Sequence, residues 1–293
     1  MRTRGGLAFP HGPAHLHLSA FSLVERANIW GTGMAPTISA RSIGGALSLT
    51  ALSALGVFAA LSALGPNWAA YAPATCTATH CFCELSRIGA LVLQPANSWS
   101  SFGYVLIGFV MIIIAGTPKG QSAMPPLTTR VMGLTAIIVG IGSALMHATL
   151  TLWGQFLDVL GMYLVGSFLL IRAVARWRRI PDGRAIALYV ALSTMLTIVL
   201  VVLPEVRRWL FAVLLILAIL VELAFARPLR RGARLADYLA GILAMTVAFG
   251  FWILDQNGVV CAPESLLQGH AAWHALGAVS LWLSFSYYHS EQS

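Results

Sequence analysis

Charged side chains are scarce in this sequence. Asp, Glu, Lys and Arg together make up only 10% of its 293 residues, whereas 58% are hydrophobic. Soluble globular domains carry about 25% charged residues, so this composition excludes an ordinary soluble protein. The apolar runs also reach the roughly 20 residues that a helix needs to cross a bilayer. We therefore expect a multi-pass integral membrane protein.

The sequence also lacks the short alternating apolar and polar segments that a transmembrane β-barrel requires. Its long runs are continuously apolar and rich in Leu, Ala, Ile and Gly, as in membrane-spanning helices. The sequence thus predicts an all-α transmembrane helix bundle. Eight spans are expected, at residues 44–64, 98–116, 131–150, 152–172, 185–203, 209–226, 235–254 and 269–288. Residues 76–290 are expected to form one membrane domain without a soluble insertion.

The N-terminal 43 residues differ in composition from the rest. His11, His15 and His17 alternate with small and apolar residues in a stretch that contains Pro and Gly. Such a tract can bind a metal ion, but it is more often unstructured. We expect residues 1–43 to form a disordered tail.

The first apolar run, at 44–64, allows two interpretations. It is rich in small residues, follows Arg41 and precedes an alanine-rich stretch, as a cleaved signal segment would. It is also long enough to be retained as an additional transmembrane helix. Met34 lies just ahead of this run, so translation could start there or at Met1.

Lysine is nearly absent, and the cations are distributed unevenly along the chain. If the N-terminus is cytoplasmic, fifteen of the eighteen Lys and Arg residues lie in cytoplasmic segments and only Arg87, Arg207 and Arg208 lie outside. The cytoplasmic set is Arg2, Arg4, Arg26, Arg41, Lys119, Arg130, Arg172, Arg176, Arg178, Arg179, Arg184, Arg227, Arg230, Arg231 and Arg234. By the positive-inside rule, both termini are predicted to be cytoplasmic.

The net charge of +8 does not indicate a nucleic-acid partner. Basic cytoplasmic loops are topological signals that also meet anionic lipid, and no basic patch interleaved with aromatic residues accompanies the charge. The preference for arginine over lysine is typical of bacteria. We expect a bacterial inner-membrane protein that has the membrane and not a nucleic acid as its partner.

Cysteine is rare, and all four cysteines fall in segments predicted to be outside. Cys76, Cys81 and Cys83 lie in the first outer loop and Cys261 lies in the last. An exoplasmic compartment permits disulfides, so a bridge from the first cluster to Cys261 is predicted, with free thiols as the alternative. The spacing of Cys81 and Cys83 is one residue too tight for the usual zinc knuckle.

Four ionisable residues interrupt the apolar runs. His147, Asp158, His270 and His274 all fall at predicted outer ends of helices. A charged residue in the bilayer costs about 2.5 to 3.5 kcal/mol even on the mildest insertion scale, so such residues indicate a functional site. Two of these histidines are four residues apart and share one helix face, as two ligands of one metal ion would. Three imidazoles with an open fourth position suit a catalytic Zn²⁺.

Each of these residues has a simpler alternative explanation. A single histidine in a membrane helix can hydrogen-bond a neighbouring helix, and Ser143, one turn before His147, can bond its own helix carbonyl. Haem ligation by two histidines is another possibility. Neither explanation accounts for three histidines and Asp158 at one depth on one side, so we favour a zinc site.

These motifs resemble the alkaline ceramidases, which are seven-helix membrane zinc amidases. The resemblance covers roughly residues 81–289 and rests on an ordered Ser-x-x-x-His, Asp, His-x-x-x-His pattern. Its strings are Gly142-Ser143-Ala144-Leu145-Met146-His147, Leu157-Asp158-Val159-Leu160-Gly161-Met162, Trp252-Ile253-Leu254-Asp255 and His270-Ala271-Ala272-Trp273-His274.

The resemblance implies a role for each matching residue. His147, His270 and His274 would bind Zn²⁺, Asp158 would activate the attacking water, and Ser143 would support the site. It implies a disulfide between Cys83 and Cys261. It also implies hydrolysis of the N-acyl bond of a ceramide-like lipid with long acyl chains to a fatty acid and a sphingoid base. Another lipid amide or ester, or a receptor-like protein without catalysis, remains an alternative.

The sequence departs from this family in two places. The family binds a regulatory Ca²⁺ through several carboxylates, whereas the corresponding places here read Cys81, Phe82, Cys83, Glu84 and Gln94. Because Ca²⁺ affinity depends on the number of charged oxygen ligands, no calcium site of that type is expected with Glu84 as its only matching carboxylate. The additional N-terminal helix is the second departure.

Overall fold

The structure, a computed structural model, describes residues 36, 38–79, 81–116, 122–226, 232–259 and 261–291. These residues form an all-α bundle, as predicted. Its helices are α1 (Ala40–Leu64), α2 (Pro95–Ser100), α3 (Phe102–Gly116), α4 (Pro126–Thr149), α5 (Leu152–Arg178), α6 (Asp182–Val202), α7 (Arg207–Val221), α8 (Leu235–Gln256) and α9 (Gly269–Ser290). A π-helical turn, Glu222–Ala226, extends α7.

Seven helical stretches within the described ranges are long and apolar enough to cross a membrane. They are Ala40–Leu64, Pro95–Gly116, Pro126–Thr149, Leu152–Arg178, Asp182–Val202, Trp209–Ala226 and Leu235–Gln256. They match the first seven of the eight predicted spans, and α2 and α3 together form the second. The structure thus has a bundle of helices from α2 to α9, with α1 packed against it.

The eighth predicted span forms α9 but is less apolar than the other seven. Among its buried residues are two histidines, four serines and two tyrosines. Polar side chains inside a membrane protein almost always face the bundle interior, where other helices supply their partners. The low hydropathy of α9 therefore reflects polar residues that are buried among other helices, and it does not argue against α9 as part of the bundle.

Helix α1 lies on the outside of the bundle, where it packs on α3. Only Ala46, Val57 and Leu61 of this helix are buried. Its first residue is Ala40, so the predicted tail at 1–43 overlaps the helix by its last four residues. The three N-terminal histidines and Met34 lie outside the described residues.

A tight turn joins α4 to α5 and fixes the end of the bundle at which the ionisable residues lie. Leu150 adopts a left-handed conformation with φ of 49°, and Thr151 caps α5 by accepting the Gly154 N–H at 3.2 Å. Because the turn is this short, His147 near the end of α4 and Asp158 near the start of α5 lie at the same end. We call it the disulfide end, since both disulfides of the described chain lie there.

Glycines allow α4 to approach its neighbours closely. A methyl group added to Gly142 would lie 2.5 Å from the Leu157 carbonyl oxygen of α5. A methyl group added to Gly108 of α3 would lie 2.5 Å from the Gly133 carbonyl oxygen of α4. Small residues at helix contacts permit such backbone approach in membranes. The contact at Gly142 brings Ser143, the next residue on α4, toward the Asp158 segment of α5.

The end opposite the disulfides contains a buried ionic network. The Arg176 guanidinium on α5 pairs with the carboxylates of Glu222 and Glu291, and the Tyr287 hydroxyl donates to Glu222 at 2.8 Å. These residues come from α5, from the π-helical turn and from the end of α9. Removing one member of a buried ion pair leaves an uncompensated charge, which is strongly destabilising. The network therefore holds these three elements together far from the histidines.

Candidate metal centre

Three predicted site residues, His147 from α4 and His270 and His274 from α9, form one buried cluster. Each offers a ring nitrogen, and these three atoms lie within 4.8 Å of one another. Their side chains are at most 5% exposed. The Nε2 atoms of His147 and His270 are 3.1 Å apart. This group can hold a metal ion.

His147 is oriented by Gln94, which sequence reasoning had considered only as a lost calcium ligand. The Gln94 side-chain amide donates to the Glu84 carbonyl at 2.9 Å, so its oxygen is left to accept from His147 Nδ1 at 3.0 Å. Nδ1 of His147 therefore carries the proton, and its Nε2 lone pair faces the cluster. Hydrogen bonds of this kind fix the tautomer and ring orientation of metal-binding histidines.

His274 is oriented in the same way by two serines. Its Nδ1 lies 2.9 Å from the Ser100 hydroxyl and 3.3 Å from the Ser101 hydroxyl. Both serines donate to the Asn97 carbonyl, each at 3.0 Å, so they accept from His274 Nδ1. Nε2 of His274 is thereby left as an acceptor, and the Ser143 hydroxyl lies 3.1 Å from it.

His270 is positioned through its backbone. Its N–H donates to one Asp255 carboxylate oxygen at 3.0 Å, while the Cys83 N–H donates to the other at 3.1 Å. Asp255 thus connects the end of α8, the first loop and the start of α9. Because backbone donors occupy both of its oxygens, Asp255 is better suited to holding α9 in place than to proton transfer. The His270 Nδ1 is buried without a hydrogen-bond partner.

Asp158 and Ser143 lie side by side on the wall of the cavity next to the cluster. Both line the cavity together with His270 and His274, and the carboxylate interacts with the Ser143 hydroxyl. Asp158 is not part of the group of converging ligand atoms. The structure therefore places the carboxylate beside the candidate metal position and not among its ligands.

Two disulfides stabilise the loops around the site. Cys83 is joined to Cys261, the pairing that the family resemblance implies. Cys76 is joined to Cys81, so all four cysteines are paired. Sequence reasoning did not predict the second bridge, although the two cysteines are five residues apart in one loop. The Cys83–Cys261 bridge links the first loop to the segment before α9. Helix α9 itself carries two of the clustered histidines.

Glu84 is fully engaged by the start of α2. Its two carboxylate oxygens accept the Ala96 N–H at 2.7 Å and the Asn97 N–H at 2.8 Å. Burial raises the pKa of Glu84 above its ordinary value, although these two hydrogen bonds act in the opposite direction. The carboxylate therefore serves as a helix cap, and its hydrogen bonds compete with any bound cation.

A cavity of about 170 Å³ begins at the cluster and extends into the bundle. A void of roughly 10 to 15 Å³ on this measure already holds one water molecule, so the volume of the cavity is many times that needed for a single water. It reaches from Arg207 at the disulfide end, past Asp158, to Leu169 and Ser284. Most of its wall is apolar, including Phe211, Leu215, Met245, Phe249 and Trp273.

The wall of the cavity includes residues of α7 and α8, two consecutive helices that do not pack closely on each other. The wall is made by residues of α5, α7, α8 and α9, with contributions from α3 and α4. Helix α5 packs along α7, and α8 packs along α9, but α7 and α8 show no comparable packing against each other. Helices α7 and α8 therefore both contribute to the cavity wall without packing closely on each other.

Residues 74–292 match the family model described as Ceramidase. The chain belongs to the ceramidase family. The matched range covers most of the chain and includes all three clustered histidines, Ser143 and Asp158. Family membership confirms the resemblance and implies a hydrolase that acts on amide bonds of a ceramide-type lipid. The sequence has no significant match to an individual curated protein.

Proposed function

We propose that this ceramidase-family protein is a membrane-embedded, zinc-dependent amidase. It hydrolyses the N-acyl bond of ceramide-like lipids to a fatty acid and a sphingoid base. The observation that carries the proposal is the buried cluster of His147, His270 and His274 beside Ser143 and Asp158 on the wall of an apolar cavity. Membership of the family supports the amide as the bond cleaved.

The donor set fits zinc. Three imidazoles without a thiolate or carboxylate are the ligand type of catalytic zinc sites, which keep a fourth position open. Nε2 of His147 and Nε2 of His270 lie 3.1 Å apart, so both rings can direct a nitrogen lone pair toward one cation. The unpartnered Nδ1 of His270 gives that ring no competing hydrogen bond. A bound zinc ion would act as a Lewis acid and lower the pKa of water to about 7.

The two remaining site residues have distinct chemical tasks. The Asp158 carboxylate faces the cavity, so it can accept a proton from the attacking water and pass it to the leaving amine. The Ser143 hydroxyl lies next to both His274 and Asp158, where it can donate to the oxygen that becomes negatively charged during attack. Neither task requires a change in the fold.

The cavity supports a lipid as the substrate. Its largely apolar wall extends from the cluster to Leu169 and Ser284, so it can hold a long hydrocarbon chain while the amide lies at the histidines. We expect such a chain to enter from the bilayer between α7 and α8, which line the cavity but do not pack closely on each other. A substrate delivered from water would need no such route.

A panel of fluorescent N-acyl lipids, incubated with the purified protein, tests the proposed function. Release of fatty acid from ceramide should stop when zinc is removed with a chelator and return when zinc is added. Ester analogues in the same panel distinguish an amidase from an esterase. A zinc-loaded, folded protein that cleaves none of the lipids would contradict the proposal and favour a receptor-like role.

Activity should not depend on calcium. Both carboxylate oxygens of Glu84 accept hydrogen bonds from backbone N–H groups. The Gln94 side chain bonds the Glu84 backbone carbonyl and His147, so this link requires no cation. A calcium-selective chelator should therefore leave the rate of ceramide hydrolysis unchanged. Loss of activity that added calcium restores would show that a cation site exists despite these hydrogen bonds.

Gln94→Met should weaken zinc binding about 10- to 100-fold, because it removes the acceptor that orients His147. Methionine has a similar volume, so little cavity is created. Gln94→Glu is the matched control, since it keeps an acceptor for the His147 N–H and should retain most of the affinity. Competition with a fluorescent zinc indicator measures both. Equal affinity of Gln94→Met and wild type would show that the contact does not orient the ligand.

We propose further that the disulfide end is exoplasmic and that both termini are cytoplasmic, as in a bacterial inner membrane. The positive-inside distribution and the paired cysteines at one end support this orientation. A cysteine placed at exposed Glu264 should react with a membrane-impermeant maleimide in intact cells, whereas one at exposed Gly183 should react only after lysis. The reverse labelling pattern would invert the topology.

A further inference from the structure

Tyr104 of α3 lies on the cavity wall close to the candidate metal centre. It follows Ser100 and Ser101, the two serines that contact His274, by about one helical turn. It lines the same cavity as Ser143 and Asp158, and it interacts electrostatically with the Asp158 carboxylate. Its side chain is only 9% exposed. None of the chemistry proposed above uses this tyrosine.

A glycine on α9 makes room for the Tyr104 hydroxyl. A methyl group added to Gly277 would lie 1.9 Å from the hydroxyl oxygen, so only glycine accommodates the phenol in this position. Gly277 follows His274 by three residues and lies on the same face of α9. With a rise of about 1.5 Å per residue, the hydroxyl lies roughly 4.5 Å further into the bundle than that histidine.

The Tyr104 hydroxyl has no hydrogen-bond partner in the described part of the chain. Two other buried tyrosines do: Tyr163 donates to the Arg207 carbonyl at 3.1 Å, and Tyr287 donates to Glu222 at 2.8 Å. The buried Tyr288 hydroxyl also lacks a partner among the described residues, but it does not line the cavity. Buried phenols usually find a partner, because a donor withdrawn from water without one costs about 1 to 3 kcal/mol. The hydroxyl faces a cavity, so the missing partner can be a group of the bound lipid.

We propose that Tyr104 determines substrate specificity by hydrogen-bonding a hydroxyl group that flanks the scissile amide. This inference rests on the proposed amidase function. The distance of roughly 4.5 Å along α9 corresponds to a group a few bonds from the amide carbon, such as a 2-hydroxyl oxygen of the acyl chain, two bonds away, or a sphingoid hydroxyl oxygen, four bonds away. A phenol both donates and accepts, which suits a hydroxyl partner. Most residues that line the cavity are apolar, among them Val139, Met162 and Trp273, so Tyr104 is one of the few polar groups that a bound lipid can contact there.

Two parts of the lipid can provide this hydroxyl. One is the sphingoid base, on the nitrogen side of the amide, and the other is a 2-hydroxylated acyl chain, on the carbonyl side. A site built around such a contact discriminates against analogues that lack the hydroxyl, because binding of such an analogue leaves the tyrosine hydroxyl unpaired. Substrates that differ only in these hydroxyls separate the two sources.

The experiment compares wild type, Tyr104→Phe and Tyr189→Phe on three lipids: ceramide, its deoxy analogue without either sphingoid hydroxyl, and that deoxy analogue with a 2-hydroxyacyl chain. Tyr104→Phe should lower kcat/KM roughly 5- to 100-fold on whichever hydroxylated lipid supplies the contact, and less than about 2-fold on the deoxy analogue. Tyr189→Phe is the control, because its hydroxyl contacts Thr135 away from the cavity. Zinc content should be equal in all three proteins.

An equal loss on every lipid, or no loss on any, would overturn the assignment. Binding of the same lipids to Asp158→Asn protein, with and without Tyr104→Phe, gives a readout that does not require turnover. A hydroxyl-dependent difference in Kd that disappears in Tyr104→Phe supports the assignment, and its absence overturns it. A wild-type protein that binds these lipids with that selectivity but cleaves none would contradict the proposed function alone.

Discussion

His274→Ala is expected to remove zinc and amide hydrolysis together. His274 is in contact with both other histidines of the candidate site: its ring centroid is 5.1 Å from that of His147 and 4.5 Å from that of His270. Without its Nε2 atom, two imidazoles remain, which is one fewer than catalytic zinc sites use. Zinc content should fall from about one ion per chain to near zero. Hydrolysis should fall more than roughly 1,000-fold, because zinc shifts the pKa of water from 15.7 to about 7.

His289→Ala provides the matched control for this variant. It removes an imidazole from the same helix at the opposite end, where the ring packs on Phe285 with centroids 5.3 Å apart. Zinc content and activity of this control should stay near those of wild type. Elemental analysis after gel filtration, together with fatty-acid release from ceramide, checks both variants. Full zinc occupancy in both His274→Ala and His147→Ala would show that the cluster is not the metal site.

Asp158→Asn should retain zinc and lose most of the hydrolysis. The carboxylate lies beside the cluster but outside the group of converging ligand atoms, and it contacts Ser143 on the cavity wall. The amide of asparagine has nearly the same shape but accepts no proton at neutral pH. General acid–base groups contribute about 100- to 10,000-fold, so kcat should fall at least 100-fold.

Asp182→Asn is the control for the carboxylate, because Asp182 pairs with Arg172 at the opposite end of the bundle. Zinc content and single-turnover rates should be measured in both variants. Loss of zinc from Asp158→Asn would show that the carboxylate is itself a zinc ligand or that it holds one of the ligand histidines in place. If both zinc and activity survived, another group would be the base. Asp255 is poorly placed for that role, since two backbone N–H groups occupy its oxygens.

Gln94 shows how the family's pattern changes in this chain. Where the alkaline ceramidases are expected to carry a carboxylate for calcium, the structure has an amide that bridges Glu84 and His147. A neutral amide needs no compensating cation, so the connection from the first loop to the histidine is made by hydrogen bonds alone.

The sequence alone determined the helical fold and the identity of the candidate site. An apolar run of about 20 residues in lipid must satisfy its backbone hydrogen bonds internally, so length and hydropathy predict a helix directly. Ionisable residues at membrane depth are costly, which made His147, Asp158, His270 and His274 conspicuous without any structure. Both inferences depend on local composition, which a sequence displays in full.

Only the tertiary structure decided which distant groups meet. The bonds from Gln94 to His147 and from Asp255 to Cys83 and His270, like the approach of Tyr104 to Gly277, join segments far apart in the chain. Each depends on helix direction, rotation and close packing, and hydropathy records none of these. The span at 269–288 was predicted as a helix, but only the structure shows that most polar residues of α9 are buried within the bundle. Partners of buried polar groups are set by geometry in three dimensions, and a linear pattern does not contain that geometry.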